Sequence, residues 1–233
     1  MKIAFLIPST SNKRDWKTAK DTHLWNILCN SLEKYTPDHQ IKLFVGYNED
    51  DPVYSLPEER MKFNAVFINF VIEFVPMDDD TKGKPTWIWN RLGDLAIWEG
   101  YEYFKLLGDD IKMPNDNGWL GAFLNKLKKN NNIGYAAGWS NNNNIPTQFL
   151  VHKNHYDIFG FFYPPQIPNW GWDNWLAEIY PEKYRIWLKS YPLQNLGGEP
   201  RYEITFNERF IKALLKREKP KLNSYLNQKS INN

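Results

Sequence analysis

One cysteine, Cys29, in 233 residues leaves no internal disulfide and no cysteine metal cluster. No run approaches the roughly 18 apolar residues that a membrane span needs. Residues 1–8 are apolar but too short for a secretory h-region, and their basic flanking is thin. These absences predict a cytoplasmic protein with no membrane span. An excess of one charge is also missing. The 29 Lys and Arg against 27 Asp and Glu give a net charge of +2, which argues against nucleic acid as a partner. Basic residues do gather late (Lys212, Lys216, Arg217, Lys219, Lys221), as they do on a solvated helix face. Several catalytic signatures are absent as well: no GxxxxGK[ST], no GxGxxG, no HExxH and no nucleophile elbow. P-loop hydrolysis, Rossmann dehydrogenase chemistry and serine hydrolysis therefore lack support.

What is abundant is aromatic: 11 Trp, 13 Tyr and 14 Phe, 16% of the chain. Aromatic faces pack on sugar C–H faces and on nucleobases, and they also build ordinary cores.

The apolar pattern alternates strand and helix through the first half. Strands are expected at residues 2–8, 41–47 and 64–75, the last with a bend, and at 101–107, 133–138, 147–152 and 185–193. Helices are expected at 16–34, capped by Asp15, at 87–100, capped by Thr86, and at 119–129. Further helices are expected at 155–159, 173–180 and 205–219, the last ended by Pro220, with a loose remainder. Residues 141–144 read as a polar loop tip. Such alternation predicts an α/β fold, Rossmann-like, with a mainly parallel sheet and flanking helices. Ligands in such sheets bind beyond the carboxyl ends of strands. That rule selects the loops at residues 9–14, 48–52 and 108–112.

The third of these loops holds the sharpest feature, Gly108-Asp109-Asp110 at the end of a strand. Two adjacent carboxylates repel unless a cation or hydrogen bonds compensate. Mn²⁺ or Mg²⁺ meets that need, since such ions bind through one or two carboxylates plus substrate phosphates. A plain turn is the competing reading. A second feature is Asn169-Trp170-Gly171-Trp172-Asp173-Asn174-Trp175, where three tryptophans surround one carboxylate. Asp173 there suits a general base beside aromatic surface, or a helix cap, or both. The loop Pro8-Ser9-Thr10-Ser11 and the run from Asn48 to Asp51 offer hydroxyls, amides and carboxylates to a nucleoside. His152 and His155 flank a helix start, where a structural role competes with metal ligation or acceptor contact.

Three stretches resemble the GT-A glycosyltransferases: residues 2–11, residues 87–111 (WIWNRLGDLAIWEGYEYFKLLGDDI) and residues 151–180 (VHKNHYDIFGFFYPPQIPNWGWDNWLAEIY). The likeness is greatest to the family-2-like enzymes of large DNA viruses, protists and bacteria. It implies a single GT-A catalytic domain over residues 1–205, then a C-terminal helix and a loose basic tail over 206–233. It implies a metal-dependent transfer of a hexose from a nucleotide sugar, a UDP-sugar in the first instance, to an acceptor hydroxyl, with inversion. Asp109 and Asp110 match the DXD-type motif, Asp110 holding the metal and Asp109 nearer the ribose. Pro8, Ser9 and Thr10 match the nucleoside loop, and Asp50 or Asp51 would meet the uracil. Arg91 would approach the pyrophosphate. Asp173 matches the catalytic base. Trp170, Trp172 and Trp175 around it would shape the sugar or acceptor pocket. The motif here is Gly-Asp-Asp rather than Asp-X-Asp. The C-terminal histidine that completes some of these metal sites has no clear counterpart, and Asn195-Leu196-Gly197-Gly198 stands where a lid is expected. A nucleotidyltransferase, with Lys13-Arg14 as part of a basic loop, and a non-catalytic carbohydrate-binding protein are the alternatives.

Overall fold

β1 (Lys2–Pro8) is apolar from Ile3 to Ile7 and is buried on both faces. Ile3, Phe5 and Ile7 enter one core, while Ala4 and Leu6 enter a second core on the opposite side of the sheet. A continuous apolar run of this kind is what a strand covered on both faces requires. A computed structural model describes residues 2–35, 40–141, 144–198 and 203–231, so part of the expected loop tip at 141–144 and the last two residues of the expected tail lie outside the described residues. The other strands of the main sheet are β2 (Gln40–Asn48), β3 (Val71–Met77), β4 (Tyr103–Leu106), β6 (Tyr135–Trp139), β7 (Leu150–His152) and β8 (Arg185–Pro192). Their order is β3-β2-β1-β4-β7-β6-β8. Neighbours are parallel except at β7, which runs against both β4 and β6. The mainly parallel sheet expected from sequence is therefore present, with one reversed strand.

Helices cover both faces. α1 (Asn30–Tyr35), α2 (Pro57–Val66) and α4 (Trp119–Lys129) contribute to the core that holds Trp25, Phe63 and Trp119. α3 (Pro85–Trp98), α5 (Lys153–Phe159), α6 (Trp172–Ile179) and α7 (Glu208–Ile231) contribute to the core that holds Trp89, Phe162 and Trp175. α3 lies so close to the sheet that a β-carbon on Gly46 of β2 would meet Ile88 Cγ2 at 2.3 Å.

Four expectations are corrected. Residues 64–75 are not one strand: the apolar run straddles the end of α2 and the start of β3. Pro57 at the first helical position with Glu58 and Glu59 behind it starts that helix, and Phe63 anchors it against Trp25. The first helix does not begin at residue 16. A 3-10 turn over Ala19–Asp21 comes first, with the Asp21 carboxylate accepting from the amides of Lys17 and Thr18. A π-helical stretch, Leu24–Cys29, then leads into α1. Thr86 does not cap α3. Pro85 takes the first helical position, and the Thr86 hydroxyl turns to the carbonyls of Ile167 and Pro168. Finally, Pro220 does not end α7. A proline in a helix interior costs about 3 kcal/mol, yet Leu222 beyond it is buried, and Tyr225 and Leu226 pack against the same core. That burial, about 1.5–3 kcal/mol for a fully buried leucine alone, carries the helix through.

A small second sheet was not foreseen. β5 (Ile111–Lys112), directly after the paired aspartates, runs antiparallel to β9 (Gln194–Asn195).

Candidate active site

β1 and β4 are parallel neighbours, so their carboxyl ends open on the same edge of the sheet. The chain leaves β1 toward β2 and approaches β4 from the other half, which makes this edge a topological switch point. Pro8 ends β1, and Gly108-Asp109-Asp110 follows β4. Asp109 is almost fully buried. Its Oδ2 lies 2.7 Å from Ser9 Oγ, which donates to it, and Ser9 Oγ lies 2.9 Å from the Tyr54 hydroxyl. Burial, then the Asp109 charge, push the Tyr54 phenol far up, so it stays protonated as a donor.

Asp110 sits in a slot between two glycines. A β-carbon on Gly108 would come 2.6 Å from Asp110 Oδ1, and one on Gly197 would come 1.9 Å from Oδ2. The backbone fixes Gly197 there: Leu196 N donates to the Asp110 carbonyl at 2.9 Å, and an Arg14 guanidinium nitrogen donates to the Gly197 carbonyl at 3.0 Å. The β5–β9 pair thus presses the expected lid segment onto the acidic turn.

Gln148 holds the turn from the other side. Its backbone is left-handed, φ 53°, a conformation that costs a non-glycine residue about 1–2 kcal/mol. In that conformation its side-chain oxygen accepts from Gly108 N at 3.0 Å, and its carbonyl accepts from Lys105 Nζ. Lys105 is fully buried on β4, over the ring of Phe123 at 5.1 Å, and burial pulls its pKa well down.

A cavity of about 660 Å³ stands over this edge. Pro8, Asp109 and Asp110 line one part of it and Trp170, Trp172 and Asp173 another. Asp173 lies in the first turn of α6, behind Gly171 in a left-handed conformation, φ 101°. Asp173 Oδ1 is sealed from solvent and has no hydrogen-bond partner among the described residues. Burial pushes the Asp173 carboxyl up to about 7, with a side-chain contact from Trp172 pulling the other way. Trp172 meets Trp89 edge to face at 5.2 Å between ring centres, and the Trp89 indole donates to the Leu6 carbonyl at 3.0 Å. Asn169 fixes the segment before it, its side-chain oxygen accepting from Trp170 N at 2.8 Å and Thr205 N at 2.9 Å.

Other expected residues lie elsewhere. Ser9 stands behind Asp109 rather than on the cavity wall. Asp51 is fully buried, and its carboxylate accepts from Thr10 Oγ1, Ser11 N, Ser11 Oγ, Val53 N and Tyr54 N. Five donors from its own loop and the loop after β1, Thr10 among them, thus share the two Asp51 oxygens. Asp50 pairs with Lys82 at 2.6 Å on the surface. Arg91 pairs with Asp78 at 3.2 Å and Asp80 at 2.8 Å, away from the cavity wall. Trp175 is fully buried in the core against Phe159, three residues round the helix from Trp172; Trp89 takes its place beside the cavity. His152 caps α5, its Nδ1 accepting from Asn154 N at 3.1 Å. His155 is buried between the Tyr180 hydroxyl at 2.8 Å and the Phe162 carbonyl at 3.0 Å. Both are structural.

Five contributing residues were missed. Asn141, Asn144 and Gln148 line the cavity from the loop between β6 and β7. Gly197 seats Asp110. His23, at the start of the π-helical stretch, offers a ring nitrogen to the acidic pair: one ligand atom each from His23, Asp109 and Asp110 lies within 4.8 Å of the others. This donor set and the glycine slot around Asp110 fit a hard or borderline divalent cation.

No family model matches the chain, and no curated protein matches it. Solved structures do. The mannosyltransferase PcManGT from Pyrobaculum calidifontis, in complex with GDP-Man and Mn²⁺, aligns with a TM-score of 0.61 at 12% identity, over 86% of this chain and 58% of that one. Residues 1–349 of TarS from S. aureus align with a TM-score of 0.53 at 12% identity, over 83% of this chain and 60% of that one. The chain thus spans about three fifths of the length of these structures. At this identity the likeness concerns architecture alone, and that architecture is shared: the chain has the mixed α/β, mainly parallel GT-A fold of the nucleotide-sugar glycosyltransferases.

Proposed function

We propose that the chain is a metal-dependent glycosyltransferase that moves a hexose from a nucleotide sugar to an acceptor hydroxyl with inversion. One observation carries this reading: a single cavity is lined both by the paired carboxylates at the β4 end and by the Asp173 carboxyl, one oxygen of which is sealed and whose pKa is raised to about 7. Asp110, with Asp109 behind it, would hold Mn²⁺ or Mg²⁺. A divalent cation bound there supplies electrostatic stabilisation of the leaving diphosphate.

The chain's own groups do the rest. Asp173, half ionised near neutrality, takes the acceptor proton as that oxygen bonds to the anomeric carbon and the bond from that carbon to the phosphate oxygen breaks. A general base with a pKa near the working pH is well matched to this task. One displacement with one base inverts the anomeric centre. Trp170 and Trp172 offer aromatic faces to the sugar. Pro8 and the β1 loop border the nucleoside side. Asp51 is engaged by its own loop, which withdraws support for a uracil contact there, so GDP-sugars and UDP-sugars stand equally as donors.

Calorimetry with GDP-mannose and UDP-glucose, each with and without Mn²⁺, tests the reading. Mn²⁺-dependent binding of one donor, lost in Asp110→Ala, is the expected result. Donor binding indifferent to Mn²⁺ and to Asp110 would sink it. Binding of free sugar alone would favour a carbohydrate-binding protein.

A further inference from the structure

We infer that His23 is the third protein ligand of the divalent cation, completing a histidine–aspartate–aspartate set, and that this set selects Mn²⁺ over Mg²⁺. The inference rests on the reading of Asp109 and Asp110 as metal ligands.

His23 comes from the segment after β1, which packs on the same core as Ile111 of β5 just beyond Asp110. Its backbone is helical, φ −61° and ψ −38°, and it directly precedes the π-helical stretch Leu24–Cys29. π-helical turns are rare and gather at functional sites, because the wider turn re-aims the side chains around it. The residues on either side leave the ring little freedom. Thr22 is fully buried with its hydroxyl donating to the Ala19 carbonyl at 2.7 Å, and Leu24 and Trp25 are buried in the core. Trp16 meets the His23 ring edge to face at 4.7 Å between centres. The imidazole is thus a positioned group rather than a surface side chain that happens to pass the site.

The spacing suits coordination. Two ligands bound to one ion at about 2.1 Å lie no more than about 4.2 Å apart. The three ligand atoms already lie within 4.8 Å of one another, so a closure of about 0.6 Å at most brings every pair within reach. The chemistry then decides between metals. Mg²⁺ prefers an all-oxygen shell, whereas an imidazole nitrogen favours metals further along the transition series. A nitrogen among two carboxylates shifts the preference toward Mn²⁺ while leaving positions for diphosphate oxygens and water.

The test uses the full chain loaded with Mn²⁺ alone, without nucleotide. Pulsed electron paramagnetic resonance of the bound ion should show ¹⁴N modulation from one imidazole, converting to ¹⁵N coupling when only the histidines are ¹⁵N-labelled. His23→Ala should abolish that modulation, weaken Mn²⁺ by about tenfold or more, and narrow the Mn²⁺-to-Mg²⁺ preference. Absence of nitrogen modulation in the wild-type protein overturns the assignment, whether or not the variant folds. So does modulation that survives undiminished in a folded His23→Ala or His23→Gln protein. The outcome separates from the transferase reading. Nitrogen-coupled Mn²⁺ with no donor binding keeps His23 as a ligand and removes glycosyl transfer. Mn²⁺-dependent donor binding without nitrogen coupling removes His23 alone.

Discussion

Gly197 and Asp110 stand so close that a β-carbon on the glycine would fall 1.9 Å from the carboxylate oxygen Oδ2. The obstruction is the aspartate itself, in a loop pinned by Arg14 and by the Leu196 amide. Gly197→Ala therefore displaces either the carboxylate or the strand pair behind it. Mn²⁺ affinity should fall by about tenfold or more, the scale seen when groups supporting a metal site are removed, while the melting temperature of the metal-free protein moves by only a few degrees. Gly121 is the control. It lies in α4, and a β-carbon added there would meet nothing within 4 Å. Gly121→Ala should leave Mn²⁺ binding intact and gain about 0.5–1 kcal/mol. Wild-type affinity in Gly197→Ala would remove Asp110 from the metal site.

Asp173→Asn should separate binding from chemistry. The amide keeps the shape and loses the proton acceptor, so turnover should drop by about 10²–10⁴-fold. Mn²⁺ affinity should stay within about threefold, since Asp173 is not one of the three clustered ligands. A variant with near-normal kcat would place the base elsewhere.

The same variant has a signature in stability. The Asp173 carboxyl is raised from 3.8 to about 7 by burial, and the His155 ring is lowered from 6.5 to about 4 by burial. A raised carboxyl contributes stability that is present below pH 4 and lost as pH rises through about 7. A lowered histidine contributes stability that is present above pH 6.5 and lost as pH falls through about 4. Over roughly pH 4–7 the two oppose each other. Removing the Asp173 contribution leaves that of His155. Asp173→Asn should thus gain stability relative to wild type as pH rises from 4 to 7, by up to about 4 kcal/mol and less to the extent that the outer face of the residue is wet. Urea midpoints across that range read it directly, and parallel curves for the two proteins would contradict the raised carboxyl.

Asp51→Ala should act on folding. It strips the acceptor from five donors around a fully buried site, a loss of about 3–5 kcal/mol by analogy with broken buried charge networks. Arg91→Ala is the opposite case. Its partners Asp78 and Asp80 are exposed, so less than about 1 kcal/mol should be lost, with donor affinity unchanged. A large fall in donor affinity on Arg91→Ala would restore that residue to the pyrophosphate.

Much of this protein was legible in its sequence because the governing signals are local. The apolar run of β1, the 3.6-residue pattern of α4 and the strand ahead of Gly108 each contain their own evidence. The acidic turn and the Trp-flanked Asp173 were found because both sit beside element ends that periodicity marks. What escaped depends on contacts distant in the chain. Gly197 meets Asp110 across eighty-seven positions, through a β5–β9 pair of two residues each, too short for any alternation to show. His23 carries no sign of its role, since a histidine in a helical pattern reads as surface or core. Asp51 looked like a ligand because a run of acids after a strand looks the same whether its oxygens face solvent or its own loop. Trp175 was placed in the pocket by counting tryptophans, although three residues along a helix from Trp172 it turns inward.

The reversed strand β7 has a practical meaning for how such a site diversifies. In a parallel sheet, the loops leaving strands face the ligand. β7 runs the other way, so it is the loop entering it that reaches the cavity, with Asn144 and Gln148. That loop hangs between β6 and β7, whereas Asp110 hangs on β4 and Asp173 on α6. Changes between Asn141 and Gln148 therefore leave the strand and helix that carry the two carboxylates in place. Gln148 must stay, because it braces the acidic turn, and so must Asn141, whose side-chain amide donates to the Asn195 carbonyl of β9 at 2.7 Å. A library confined to residues 144–147 would vary this part of the cavity wall while Asp110 and Asp173 keep their places.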